Sequence, residues 1–456
     1  KALELNPDNA GAHMNLGQIY KELGQLDHAL ASTLKALELN PDNAGAHINK
    51  LKGEIDISGS KNASLPILAA TLLTNKKVYL DNLPKVKDIE TMINLLRSLG
   101  SKTKFNKKNL VVDNSKQNKN FASYNLVKTM RAGILVLGPL LAKFGRAKVS
   151  LPGGCAIGTR PVDLHLKALS KLGVKYKIIQ GYIHATAPKG LIGTKITFSK
   201  ISVGATENLI IAATLAKGTT ILKNCAIEPE IKDLTNFLIK LGCNLKWLSN
   251  RTIRIKGVKN THEIKYSVMF DRIEAGTYLV AAAATEGNLR IKKVIPEIIK
   301  TEINILKKIG AKIVVKKNQI HIYGNKKIRN TNIKTAPYPG FPTDLQAQIM
   351  VLLCKANKKS LIKEDIFENR FMHVSELNRM GAKILIKGNK ALIEGNIKFT
   401  AAELMATDLR ASASLILAAL TTRGKSIINR IYHLDRGYEN IEKKLKRVGA
   451  KIRSIN

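Results

Sequence analysis

The segment Ser150-Leu151-Pro152-Gly153-Gly154-Cys155-Ala156-Ile157-Gly158-Thr159-Arg160 sets a thiol behind a Pro-Gly-Gly turn, with a guanidinium a few residues on. Such a turn belongs on a surface loop. Thiol chemistry depends on exposure and on a nearby cation that favours the thiolate. Cys155 therefore reads as a reactive group, and Arg160 as the cation that serves it or an anionic substrate beside it. The remaining cysteines, Cys225, Cys243 and Cys354, read as buried small core residues, as a lone cysteine most often is. No CxxC pair points to a disulfide framework or a structural zinc site, and the nine His show no metal-ligand spacing.

A second set of reactive types recurs where apolar helices begin: Lys61-Asn62, Lys128 with Arg131, Thr206-Glu207, Asp271-Arg272-Glu274, Thr343-Asp344, and Asp408 with Arg410. Helix N-termini present free N–H groups and a partial positive charge. Several of them converging on one cleft would grip a polyanionic ligand.

Six similar units must position these groups. Helical stretches end in the tetrads Leu99-Gly100-Ser101-Lys102, Leu172-Gly173-Val174-Lys175, Leu241-Gly242-Cys243-Asn244, Ile309-Gly310-Ala311-Lys312, Met380-Gly381-Ala382-Lys383 and Val448-Gly449-Ala450-Lys451. Each glycine stands where a helix stops, and the spacing predicts a short alternating strand after each one. Once per unit an apolar helix, a polar turn and a β-rich strand recur, at 65–80, 134–151, 209–222, 278–291, 349–362 and 415–428. Helices that are apolar nearly all round belong inside, shielded by sheets. Six units with buried helices predict two lobes of three.

The first 48 residues differ. Lys1 to His13 recurs identically from Lys35 to His47, a 34-residue period that resembles the tetratricopeptide repeat. It predicts helices at 10–23 and 26–39, an all-α hairpin. One repeat is too short to be stable alone, so the segment reads as a remnant of a longer array rather than a peptide-binding arm, with any protein partner open. Residues 1–50 carry a net charge of −2, against +41 for the whole chain. The lysines of the body are spread evenly and aromatics are only 5%, which disfavours a nucleic-acid groove and points to small anions. No apolar run is long enough to span a bilayer, and the chain reads as cytoplasmic.

The motifs GSKNASLPILAATLL (59–73), LVKTMRAG (126–133), SLPGGCAIGTRPVDLH (150–165), SVGATEN (202–208), FPTDLQAQ (341–348), FENRFMHVSEL (367–377), ATDLRASASL (406–415) and RIYHLDRGYE (430–439) together resemble the UDP-N-acetylglucosamine enolpyruvyl transferase family. The resemblance runs from about residue 51 to the end. It implies an α/β fold of two inverse α/β barrel lobes of three repeated units each, preceded here by the helical hairpin. The domains expected are 1–48 for the hairpin, 61–268 for the lobe with the Cys loop, and 51–60 with 269–456 for the second lobe.

The resemblance also implies transfer of enolpyruvyl from phosphoenolpyruvate to the 3-hydroxyl of UDP-N-acetylglucosamine, with release of phosphate, in peptidoglycan synthesis and without a cofactor or metal. Matched position by position, Cys155 is the proton donor to the methylene carbon and Asp344 accepts the sugar proton. Lys61, Arg131, Arg160 and Arg436 hold the phosphate and carboxylate, and Asp408 and Arg410 support the site. Asn62, Arg160, Pro161, Val162, Asp163, Leu164, Lys200, Ser202, Val203, Gly204, Ile366 and Arg370 line the UDP-sugar site. Family members open with a short strand where this chain has its hairpin, so a sheet of the second lobe is expected to lack one member. The alternatives are a related synthase acting on shikimate 3-phosphate, which the Gly-Gly-Cys loop disfavours, and a non-catalytic basic binding protein.

Overall fold

The computed structural model describes residues 3, 6–39, 50–153 and 162–455. The N-terminal repeat forms helices α1 (Ala10–Glu22) and α2 (Leu26–Leu39), which pack on each other over the buried Gly17, Ala29 and Ala36.

Beyond residue 50 each unit supplies an inner helix, a strand and an outer helix, and the first five add a two-stranded return. In chain order the inner and outer helices alternate: α3 (Lys61–Ala70) and α4 (Lys87–Ser98), α5 (Leu137–Phe144) and α6 (Asp163–Lys171), α7 (Val203–Ala213) and α8 (Pro229–Lys240), α9 (Arg272–Ala284) and α10 (Lys300–Ile309), α11 (Gln346–Cys354) and α12 (Val374–Arg379), α13 (Leu409–Leu420) and α14 (Ile441–Arg447). The inner helices lack a polar face and are wrapped by protein: every residue of α9 and of α11 is buried. The tetrad glycines all have positive φ, from 88° at Gly381 to 116° at Gly310, so each ends its helix in the left-handed conformation that side chains resist.

Two hydrophobic cores result. One gathers side chains from Ala63 to Val268; the other gathers Leu51, Ile55 and Ile57 with residues from Phe270 to Ala450. In five sheets the strand after the inner helix lies centrally, and the strand after the tetrad is an edge held by an antiparallel neighbour. The sixth departs from the expectation: residues 450–455 form no strand, and the sheet has only the parallel pair Glu403–Met405 and Ile427–Asn429 among the described residues. Among the described residues no return strand holds residues 451–455, and the sheet is thinner than its five counterparts.

The connection between the lobes is a strand exchange. Strand Lys52–Asp56 precedes α3 of the first lobe but pairs with Asn288–Lys292 of the second. Strand Ile264–Ser267 precedes α9 of the second lobe but pairs with Lys77–Asp81 of the first. The two crossovers run past each other, with Ser60 N–H on Met269 O and Asp271 N–H on Ser58 O, both at 2.8 Å. Gly59 is required there, because a Cβ would lie 1.6 Å from the Asn82 carbonyl oxygen. No helix among the described residues is long and apolar enough to cross a membrane.

Candidate active site

Asp344 stands on a single 3-10 turn, Thr343–Leu345, that leads into α11. Arg370 Nη2 donates to its Oδ1 at 2.8 Å, and Arg410 Nη2 donates to its Oδ2 at 2.9 Å. From the other lobe, Asn62 Nδ2 reaches the same Oδ2 at 3.4 Å. Burial pushes the Asp344 carboxyl up, but Arg410, Arg370 and Lys61 together outweigh that and hold it well below the usual carboxylate range. Asp408 caps α13, its Oδ1 accepting from Arg410 N–H at 2.8 Å and Ala411 N–H at 3.1 Å. It therefore fixes the residue that carries the Arg410 guanidinium. Glu364 accepts from the Thr343 hydroxyl at 3.0 Å and from Ile366 N–H at 2.9 Å, which holds the Ile366 loop beside Asp344.

A second cluster crosses between the lobes. Asp88, in the first turn of α4, accepts from Arg436 Nε at 3.0 Å and from Lys61 Nζ at 3.4 Å. Lys61 and Asn62 open α3, where Ser60 caps the helix through Ala63 N–H. Two cations of the resemblance thus meet one carboxylate that the motifs did not single out.

The third cluster lies around the Cys loop. The chain enters that loop at Gly153, where a Cβ would come within 1.9 Å of the Lys128 carbonyl oxygen. Cys155, Arg160 and Pro161 lie outside the described residues. Val162 and Asp163 resume at the start of α6, followed by Leu164. His165 Nδ1 accepts from Asn208 Nδ2 at 3.1 Å, while Asn208 also donates to Ile134 O and accepts Gly138 N–H at 2.8 Å. That set of bonds requires the neutral Nε2–H form of His165. A Cβ on Gly204 would sit 3.3 Å from the His165 ring, so the starts of α6 and α7, with Ser202 capping α7, come together. Burial lowers the His165 pKa to about 4, with Arg131 adding to the effect. Lys200 and Val203 are exposed beside this junction.

Two expected anion-gripping helix starts do something else. Glu207 is buried against Glu230 and Glu228, and burial pushes its carboxyl well above the usual range. Arg272 Nε donates to Glu230 Oε1 at 2.9 Å, and its Nη1 lies 3.8 Å from Glu302. Glu274 binds Lys444 and Ser58 N–H. Thr206, Glu207, Arg272 and Glu274 are therefore junction residues, since a buried ion is stable only with an internal partner. Lys128 likewise lies on the surface over the Tyr124 ring.

Acid should destabilise this fold in a defined window. Burial lowers the pKa values of His165 and His373 to about 4 from 6.5. The unfolded chain therefore binds more protons as pH falls from 6.5 to 4, and stability present above 6.5 is lost, on the order of 3 kcal/mol per imidazole. Asp233, raised by burial to about 6, acts oppositely over 4–6, as do Glu207, Glu230, Glu274 and Glu302, whose carboxyls burial also raises. The imidazole share is read by difference: the stability of wild type relative to His165→Asn, from urea unfolding, is expected to fall between pH 6.8 and 4.5, and a difference independent of pH would contradict the neutral form of His165.

The chain matches the EPSP synthase (3-phosphoshikimate 1-carboxyvinyltransferase) family over residues 46–445, and the tetratricopeptide repeat over residues 10–43. It is 78% identical over 407 residues to the UDP-N-acetylglucosamine 1-carboxyvinyltransferase of Pelagibacter ubique, spanning 89% of this chain and 98% of that protein. It is 51% identical to the enzyme of the same name from Endomicrobium trichonymphae, spanning 89% and 97%. Among solved structures, the enolpyruvyl transferase NikO from Streptomyces tendae superposes with a TM-score of 0.80 at 23% identity, covering 89% of this chain and 96% of that one. EPSP synthase from Acinetobacter baumannii gives 0.66 at 18% identity, covering 89% and 97%. These two share the fold. With that identity over 407 of its residues, the chain belongs to the UDP-N-acetylglucosamine 1-carboxyvinyltransferase family.

Proposed function

We propose that this protein transfers enolpyruvyl from phosphoenolpyruvate to the 3-hydroxyl of UDP-N-acetylglucosamine and releases phosphate, in the cytoplasm, as the committing step of peptidoglycan synthesis. The observation that carries the reading is Asp344, held by Arg370 and Arg410 from its own lobe and met by Asn62 from the other. The lobes we assign are 61–268, and 51–60 with 269–456.

In this reading the sugar oxygen attacks C2 of phosphoenolpyruvate, its proton passes to Asp344, and Cys155 protonates C3 to a methyl group. The tetrahedral ketal keeps its carboxylate and phosphate, which Lys61, Arg131, Arg160 and Arg436 surround. The Cys155 thiolate then takes back a methyl proton, the double bond re-forms as the C2–O bond to phosphate breaks, and the proton held by Asp344 leaves with the phosphate or to water. At rest Asp344 is paired too well to be a strong base. A phosphate beside Lys61 would offset that positive field and raise its proton affinity toward what the step needs. Closing the lobes would bring acid and base to opposite sides of the reacting carbon and exclude water.

The test is phosphate release from phosphoenolpyruvate with UDP-N-acetylglucosamine, and with shikimate 3-phosphate as the competing acceptor. Release with the first alone, lost in Cys155→Ala, is the expected result; none from a folded wild-type sample overturns the reading. Cys155→Asp, which retains a proton donor, is expected to keep activity while escaping alkylation by the epoxide fosfomycin. Mass spectrometry showing the adduct on residue 155 of that variant would remove the thiol assignment.

A further inference from the structure

Glu439 lies three residues beyond Arg436 and is 5% exposed. It belongs to the second lobe by sequence, yet two of its partners come from the first. Lys108 Nζ, in the tight turn between strands Lys102–Asn106 and Asn109–Asp113, donates to Oε2 at 2.8 Å. Lys85 N–H donates to Oε1 at 3.1 Å. The Ser58 hydroxyl, on the crossover itself, donates to Oε2 as well. Ser58 is in turn fixed by Lys444 Nζ at 2.7 Å and, through its N–H, by Glu274 at 2.8 Å.

Two short segments therefore meet at two points with matched spacing. Arg436 and Glu439 of the second lobe face Asp88 and Lys85 of the first, each pair three residues apart. The Arg436 pair is the one assigned to hold the donor's anionic groups. The Glu439 pair stands on the crossover side of it and touches no other residue assigned to the site.

We infer that Glu439 is a positioning residue, and that its bond to Lys108 latches the lobes so that Arg436 is held against Asp88 ready for phosphoenolpyruvate. The inference rests on the proposed function for its kinetic consequence, but not for its structural one. Lys108 is 44% exposed on its side chain, so the latch is salt-sensitive and modest, as half-solvated pairs are. Opening it leaves the reacting groups intact and lowers the population of the donor-binding arrangement, which reduces apparent affinity rather than turnover.

The test uses Lys108→Met and Glu439→Gln in the full chain. Glutamine keeps an acceptor for Lys85 N–H and the Ser58 hydroxyl while removing the charge. Each variant is expected to raise KM for phosphoenolpyruvate about fivefold, with kcat within twofold and the melting temperature retained. The double variant should be no worse than either single, and Lys108→Arg should restore the wild-type KM. A merely structural role would lower kcat and melting temperature together without this split. Unchanged KM in Lys108→Met, or additive effects in the double variant, would overturn the latch. Amide hydrogen exchange without substrate gives a second, activity-free measure. Residues 82–88 and 431–439 should exchange faster in both variants, and exchange equal to wild type would overturn the latch even if no phosphate were released by any form.

Discussion

Asp344→Asn is expected to lower turnover about a thousandfold, within the range by which a positioned base accelerates proton transfer. The substitution keeps the shape and one acceptor oxygen but removes the charge that Arg370 and Arg410 share. Both arginine side chains are 5% exposed, so they lose their counterion inside the protein. Leaving a buried charge unpaired costs about 3–5 kcal/mol. The lower end applies here, because Asp344 keeps 27% of its side-chain surface in solvent. Steady-state phosphate release and thermal unfolding measured on one preparation separate the two effects. A variant that melts lower but turns over within tenfold of wild type would show that Asp344 organises the two arginines without taking the proton. Asp344→Ala should be worse on both counts, since it also abandons the Asn62 bond.

Arg272→Met is expected to destabilise the protein by about 3–5 kcal/mol near pH 7.5, without touching the proposed site. Arg272 is the cation placed among Glu230, Glu302 and Glu228, with Glu207 beyond them. Removing it leaves Glu230 and Glu302, whose carboxyls burial already pushes upward, with no compensating charge. The deficit should shrink in mild acid. A carboxyl raised in the folded state binds its proton more tightly there than in the unfolded chain, so its contribution is favourable at low pH and is lost as pH rises through the folded pKa. The difference from wild type, read from urea unfolding, should therefore narrow by about 1–2 kcal/mol between pH 7.5 and 5.5. A deficit independent of pH would mean that Arg272 contributes by packing on Tyr338, whose ring centre lies 5.8 Å away, rather than by charge.

The six-unit plan was legible because each unit repeats the same local physics. A glycine must end each outer helix in a left-handed turn, and a helix apolar on every side, such as α11, can only lie inside. Motif resemblance located Asp344, Arg370 and Arg410, which meet within one lobe. Asp88 and Glu439 were not singled out. Asp88 looks like an ordinary acidic residue at the start of an amphipathic helix, and its partner Arg436 lies 348 residues away. No local signal encodes that meeting. The reverse error came from Glu207 and Arg272: a polar residue at a helix start suggests an anion site, but burial beside Glu230 and Glu228 at Glu207, and an internal counterion at Arg272, give each a structural task instead. Residues 450–455 fell short for a third reason: strand propensity needs a neighbour to pair with, and none stands beside them among the described residues.

The strand exchange between the lobes also imposes an order on synthesis. As the chain emerges, the first-lobe sheet at Lys77–Asp81 has an open edge until Ile264–Ser267 arrives, while Lys52–Asp56, made before either, waits for a partner 236 residues downstream. The earliest strand of the body thus finds its place only after every strand of the first-lobe sheets has been made. Pairings this distant are slow, and unpaired edges are exposed to aggregation meanwhile. Neither lobe can be made complete from one uninterrupted stretch of chain, so a nascent first half is a folding intermediate that depends on what has yet to be translated.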